Sequence, residues 1–253
     1  MKMLRDTWLV FGRYFAIFIR NPAWVALGVI QPVLYLVLFA PLLKSVAAVP
    51  GFPRGGAYNV FVPGLLVQLG LFGAAGVGFG LIAELRNGVI ERLRVTPVSR
   101  ISLLLGRALR DILVLLIQSA LLTIVALPFG LSVNLLGAVV VLGLIALIGL
   151  TTACVAYACA LWLKSEDSYA PLIFTATLPL LLLSGVLLPL SFAPGWLRAL
   201  ANLNPLAYAV DAARAVFNDH RGDASVAKGV ALMVVLALVA IVIAARQFGR
   251  AIS

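Results

Sequence analysis

The side chains able to do chemistry are few in this chain. It carries one histidine, His220, two cysteines, and nine Asp or Glu residues among 253. The densest charged run is Glu84-Leu-Arg-Asn-Gly-Val-Ile-Glu-Arg-Leu-Arg-Val-Thr-Pro-Val-Ser-Arg100. Within it Glu91, Arg92 and Arg94 present both signs of charge ahead of a Thr96-Pro97 helix stop. That pattern suits a grip for another protein. It also suits a solvated helix face followed by a stop.

Bond-making chemistry is not expected. No GxxxxGK[ST] phosphate loop, HExxH pair or nucleophile elbow occurs. The string Gly76-Val-Gly78-Phe-Gly80 lies inside an apolar run with no strand before it, so it is no nucleotide loop. Cys154 and Cys159 share one apolar run and lack the spacing of a redox or zinc pair, which reads as helix packing. His220 stands alone in a loop. No catalytic, metal or cofactor residue is therefore expected in this chain.

The elements around these residues are read from hydropathy. Sixty-three per cent of the residues are hydrophobic and 11% charged, and mean hydropathy is +1.13. A soluble domain carries about 25% charged residues. The apolar residues fall in runs of about twenty, enough to cross roughly 30 Å of hydrocarbon as helices. Lipid leaves no other backbone form satisfied. The expectation is an all-α polytopic membrane protein, one permease domain over 1–253. Its six spans lie near 23–43, 60–83, 109–127, 135–163, 169–190 and 227–245. The run after the basic start is too long for a cleaved signal and is expected to be the first span. Gly73, Gly76 and Gly80 put a small face on the second span.

Before the spans, residues 1–21 form an amphipathic element. Lys2, Arg5, Asp6, Arg13 and Arg20 fall within roughly 100° of one helix face, with Trp8, Phe11, Phe15 and Phe18 elsewhere. This predicts a helix in the headgroup layer, charges to water and aromatics to lipid, ended by Asn21-Pro22.

Net charge is +10. The basic residues sit beside the spans and make no separate domain, so nucleic acid is not the expected partner. With the N-terminus inside, thirteen Lys and Arg lie on the inner side against six outside. Both termini are therefore expected to be cytoplasmic. The 84–108 segment is then an inner loop, helical in part. Asp111, with Arg107 and Arg110 beside it, is expected as a structural pair at the inner interface. Without further intramembrane charge there is no proton relay, so a porter of this kind needs an outside energy source.

Residues 191–226 are expected as short helices on the outer side. Asn204 should cap a helix starting at Pro205 and running to about Asn218. Its apolar stripe is Leu206, Val210, Ala213 and Phe217, facing lipid or the sixth span. Asp211 and Arg214 lie on a polar arc with Asn218, three apart and able to pair, with Tyr208 at its edge.

Four motifs in order carry a family resemblance: Gln31-Pro32, Phe61-Val-Pro63-Gly64, Glu91-Arg-Leu-Arg-Val-Thr-Pro-Val-Ser-Arg100 and Asn204-Pro-Leu-Ala-Tyr208. With the six spans, the whole chain resembles the type-2 class of ABC exporter permeases, closest to the daunorubicin-resistance and nodulation-factor branch. The resemblance implies a separate ABC ATPase on the cytoplasmic face, carrying ATP and Mg, and a second copy or similar permease. It implies that the N-terminal helix and the inner loop form the transmission interface, with a shorter contact near 164–168. It implies efflux of a drug, lipid or glycan across the cell membrane and leaves substrate residues unassigned. The alternatives are a membrane scaffold without transport and a secondary transporter.

Overall fold

The computed structural model describes residues 2–20, 23–46, 56–94, 98–132, 134–187, 190–220 and 222–252, and the described residues are helical with short connecting turns. Among the described residues eleven α-helices follow in order: α1 (Lys2–Ile19), α2 (Ala23–Val46), α3 (Gly56–Ala75), α4 (Val77–Arg86), α5 (Val89–Arg94), α6 (Arg100–Ala126), α7 (Leu135–Leu163), α8 (Glu166–Leu183), α9 (Gly195–Ala201), α10 (Pro205–Phe217) and α11 (Ala224–Ile252).

Among the described residues, four stretches are long and apolar enough to cross a membrane: 56–86, 101–129, 135–163 and 224–249. α2 is apolar over Ala26–Phe39, and α8 has 18 residues, about 27 Å at the α-helical rise. The protein is thus an all-α polytopic membrane protein. The expected fifth span, 169–190, is shorter in the structure. It ends at Leu183, where Ser184 and Gly185 turn the chain, Gly185 at φ +72.

α7 is the central post. It packs against α11, α3, α6, α4, α10 and α8. α3 is enclosed along almost its whole length, with Phe61, Val62, Leu65, Leu66 and Val67 all buried. α3 passes into α4 at Gly76, which keeps helical dihedrals: its N–H still donates to Phe72 O, four residues back, at 3.1 Å, while Phe79 N–H takes a tighter bond to Gly76 O, three back, at 3.2 Å. Tyr169 of α8 lies against this junction, its hydroxyl donating to Ala75 O at 2.6 Å. Gly78 has no side chain because a Cβ there would strike the Tyr169 ring and hydroxyl.

Buried apolar side chains gather in two clusters. One surrounds Phe61, Leu65, Ile145, Val210 and Phe217 at the α10 end of the bundle. The other surrounds Leu81, Leu104, Tyr157, Tyr169 and Phe248 at the α1 end. Leu135, Leu172, Phe174, Leu182, Leu238 and Val242 point outward, the apolar belt that lipid requires.

Two further expectations need correction. The aromatics of α1 do not all face outward. Phe11 and Phe18 are buried, while Trp8 is 66% exposed. The reason is the neighbour: α1 lies along α6. At the crossing Gly106 admits it closely, since a Cβ there would sit 2.7 Å from Val10 Cβ and 2.8 Å from Thr7 O. α6 also begins at Arg100, capped by the Ser99 hydroxyl accepting from Ser102 N–H at 3.1 Å. Residues 100–108 therefore continue the third span.

Candidate functional site: an ionic joint at one end and a strap at the other

At the α1 end, four helices meet on charged groups. Glu84, near the end of α4, receives two donors on Oε2: Arg107 of α6 at 2.5 Å and the Tyr14 hydroxyl of α1 at 2.9 Å. Next to it, Asp111 of α6 accepts from Arg110 at 2.5 Å and from the Tyr157 hydroxyl of α7. The Arg107 guanidinium lies over the Tyr14 and Tyr157 rings, 5.2 and 5.4 Å from their centroids. Arg110 lies over Phe18 of α1 at 5.3 Å. Each aromatic face stabilises the cation by about 0.5–2 kcal/mol.

Burial makes this joint demanding. Arg107 and Asp111 are buried, and Glu84 is partly so. Ions taken out of water cost several kcal/mol each unless paired in good geometry. Here two carboxylates face two guanidiniums, so the net charge is zero, and two tyrosines fill remaining acceptor positions. Burial pushes the Tyr14 hydroxyl up to about 12, partly opposed by Arg107. It therefore stays a donor at neutral pH. The carboxylates are engaged, so the joint offers no free base or nucleophile. It can hold α1, α4, α6 and α7 in one register. The expected Arg110–Asp111 pair is present, while Arg107 turns to Glu84, a second acid that sequence reading passed over.

The sequence-predicted grip lies beyond this joint. Gly88, at φ +66, turns the chain from α4 into α5. Glu91, Arg92 and Arg94 fall on α5, and Arg92 is exposed. Thr96 and Pro97 lie outside the described residues. Arg86, at the end of α4, reaches Glu166 in the first turn of α8 at 3.5 Å. The 164–168 segment thus stands beside the end of α4, with Lys164 at φ +53 closing α7.

At the opposite end, α10 is a strap across the bundle. Asn204 caps it, accepting from Leu206 N–H at 3.0 Å, with Pro205 in the first turn. The Asn204 amide also donates to Leu180 O of α8 at 2.7 Å. Phe217 O at the far end accepts from Asn59 of α3 at 3.1 Å. Gly229 lets α11 close in, because a Cβ there would lie 2.6 Å from Tyr208 O. Leu206, Val210, Ala213 and Phe217 are buried by protein, so the stripe does not face lipid. Tyr208 donates to Asn202 O at 3.0 Å.

The expected polar arc is split. Asp211 is exposed, whereas Arg214 is buried. Arg214 Nε donates to Val60 O at 2.9 Å, and one terminal nitrogen donates to Gly185 O at 2.7 Å and Val186 O at 3.3 Å. Among the described residues no Asp211–Arg214 ion pair forms. An exposed helix pair is worth about 0.3–0.5 kcal/mol, less than satisfying buried carbonyls. The Pro63-Gly64 motif serves the same place: a Cβ on Gly64 would sit 2.5 Å from Val186 O.

Among the described residues no group of three or more His, Cys, Asp or Glu could hold a metal. An enclosed second span, a joint of buried charge and a strap at the far end define a multi-pass helical membrane protein built around packed helices. The chain belongs to the ABC-2 type transporter family, whose sequence profile matches residues 5–218, and it is a membrane subunit of the ABC transporter class. It is 33% identical over 205 residues to the putative transport permease ycf38 of Porphyra purpurea, covering 79% of this chain and 69% of that one. It is 24% identical over 223 residues to the daunorubicin resistance ABC transporter permease protein DrrB1 of Streptomyces coeruleorubidus, covering 84% and 74%. It is 25% identical over 189 residues to the probable doxorubicin resistance ABC transporter permease protein DrrC of Mycobacterium tuberculosis, covering 74% and 67%.

Proposed function

We propose that this chain is the membrane half of an ATP-driven exporter in the cell membrane, with its α1 end and both termini in the cytoplasm. The Lys and Arg asymmetry supports that orientation. A separate ATPase subunit binds ATP and Mg and docks on α5 through Glu91, Arg92 and Arg94, with Thr96 and Pro97 of the sequence after it also in the contact. Two permeases, identical or similar, enclose the pathway. The cargo is a hydrophobic or amphipathic drug, lipid or glycan-type molecule, a reading supported by relatives named for daunorubicin and doxorubicin resistance.

The observation that carries this reading is the ionic joint directly behind α5. The Asn87-Gly88 turn leaves α5 free of the α4 axis, yet Glu84 ties α4 to α1 and α6 within the same end of the bundle. A push on α5 therefore reaches α1, α4, α6 and α7 together. The strap α10 closes the pathway at the other end.

The test is co-purification of this chain with the product of a neighbouring reading frame that carries a phosphate-loop motif, followed by transport in vesicles. Glu91→Arg should keep the permease inserted and lower ATP-driven transport severalfold. Absence of any bound ATPase, or normal transport by Glu91→Arg, removes the docking assignment.

A further inference from the structure

Among the described residues, Arg214 is the buried cation held by backbone carbonyls at the α10 end, whereas Arg198 bonds carbonyls at the surface. Its acceptors belong to two elements, Val60 of α3 and the Gly185-Val186 turn after α8. α10 itself is anchored to α11 at Gly229. One side chain therefore joins the strap to two spans at once, and a single rotamer change gives up all three of these bonds while the Asn204–Leu180 and Asn59–Phe217 bonds remain.

The bond type matters. A guanidinium buried against a carboxylate leaves an unpaired ion behind when it departs. Neutral carbonyls leave no such charge, and the departing guanidinium regains water. A second resting place also stands ready. Asp211 lies three residues earlier on the same helix, exposed, in no hydrogen bond or ion pair among the described residues, and already within the electrostatic reach of Arg214. Residues at that spacing are neighbours on a helix surface. Burial pushes the Arg214 guanidinium down, to about 10, with Asp211 opposing that shift, so the group stays charged in both positions.

We infer that Arg214 is a two-position latch: turned inward on Val60, Gly185 and Val186 it holds the strap closed, and turned outward on Asp211 it lets this end open during transport. The inference rests on the exporter reading for the timing of opening, but the closed state it describes does not. Arg214 acts through the position of α10 and is a positioning residue.

The experiment uses the full permease–ATPase complex in nanodiscs, with Cys154 and Cys159 changed to alanine and Val186→Cys as reporter. Val186 is fully buried, so labelling by a charged maleimide measures opening. Arg214→Met, similar in length but without donors, should label at least about fivefold faster without nucleotide, the lower edge of coupling between conformational states. Arg214→Lys, which keeps one donor group, should fall between and remains the test if the Met variant does not assemble. Asp211→Asn, at an exposed site, should match wild type without nucleotide and lose most of the ATP-driven rise. A purely structural Arg214 would leave Asp211→Asn unchanged and would lower complex yield in place of labelling. Wild-type labelling by the Arg214 variants without nucleotide, or a full ATP-driven rise in Asp211→Asn, overturns the latch. If ATP changes labelling in no protein, the exporter reading fails, and the nucleotide-free comparison still decides the latch.

Discussion

The Tyr14 hydroxyl donates to Glu84 at 2.9 Å, joining α1 to α4 across seventy residues of sequence. Arg107 shares the same carboxylate oxygen. This three-way bond explains why a helix predicted to float in the headgroup layer is fastened to the bundle. A hydrogen bond to a charged group contributes about 1.5–3 kcal/mol. Tyr14→Phe should therefore lower the thermal midpoint of the purified complex by several degrees and leave insertion intact. Burial raises the Tyr14 pKa from 10.0 to about 12. A raised folded pKa means the bond contributes in full below pH 10 and is lost as pH climbs through 12. The wild-type advantage over Tyr14→Phe should shrink across that window; a constant gap up to pH 12 would contradict the assignment.

Removing the acid should cost more than removing the tyrosine. Glu84→Gln leaves buried Arg107 without its counter-charge, and breaking a buried pair costs about 3–5 kcal/mol. Low accumulation in membranes is expected. Combining it with Arg107→Gln should recover much of the loss, measured by fluorescence-detected gel filtration. Additive losses in the double variant would mean that the two residues do not act as a pair.

Gly106 is where α1 crosses α6 closely, beside the bonds from Tyr14 and Ser102. Gly106→Val should lift α1 from α6 while the spans stay folded, because a β-carbon there collides with Val10 and with the Thr7 carbonyl. Limited trypsin digestion of open membranes should then cut after Arg5 and Arg13 several times faster. Unchanged cutting would show that α1 is held elsewhere.

Two glycines in apolar helices should respond oppositely. Gly64→Ala drives a methyl into the Val186 carbonyl, and overpacking of this kind costs about 1–3 kcal/mol. Gly143 has nothing within 4 Å of an added Cβ, so Gly143→Ala should be neutral or mildly stabilising. Equal thermal midpoints for the two variants would mean that the span does not approach the 184–187 turn.

Orientation is open to impermeant thiol labelling in intact cells. A cysteine at His220 or Asp211 should react from outside, and one at Ser99 should not; Val210→Cys, fully buried in the strap, should stay silent. Ala57, which the loop position suggests as an outer reporter, is only 5% exposed and should label poorly from either side. Reaction at Ser99 from outside would reverse the proposed topology.

Much was legible in the sequence because its rules are local. Runs of about twenty apolar residues can only be helices in lipid, and those runs fell on α2, the α3–α4 pair, α6, α7, α8 and α11. Asn204-Pro205 announced the start of α10, since cap and first-turn proline act within a few residues. The charged turn after the second span was equally visible. What no local rule reaches is which side chain meets which across the bundle. Helical periodicity put Asp211 and Arg214 on one arc, but it cannot see that Val60 and the Gly185-Val186 turn present carbonyls to one of them. Nor can it tell that α6 covers Phe11 and Phe18, or that Gly78 is empty to make room for Tyr169. Glu84, Tyr14 and Tyr157 carry no motif because their roles come from three other helices. Partners separated by tens of residues are chosen by packing, and burial turns that choice into the large energies that hold the joint and the strap in place.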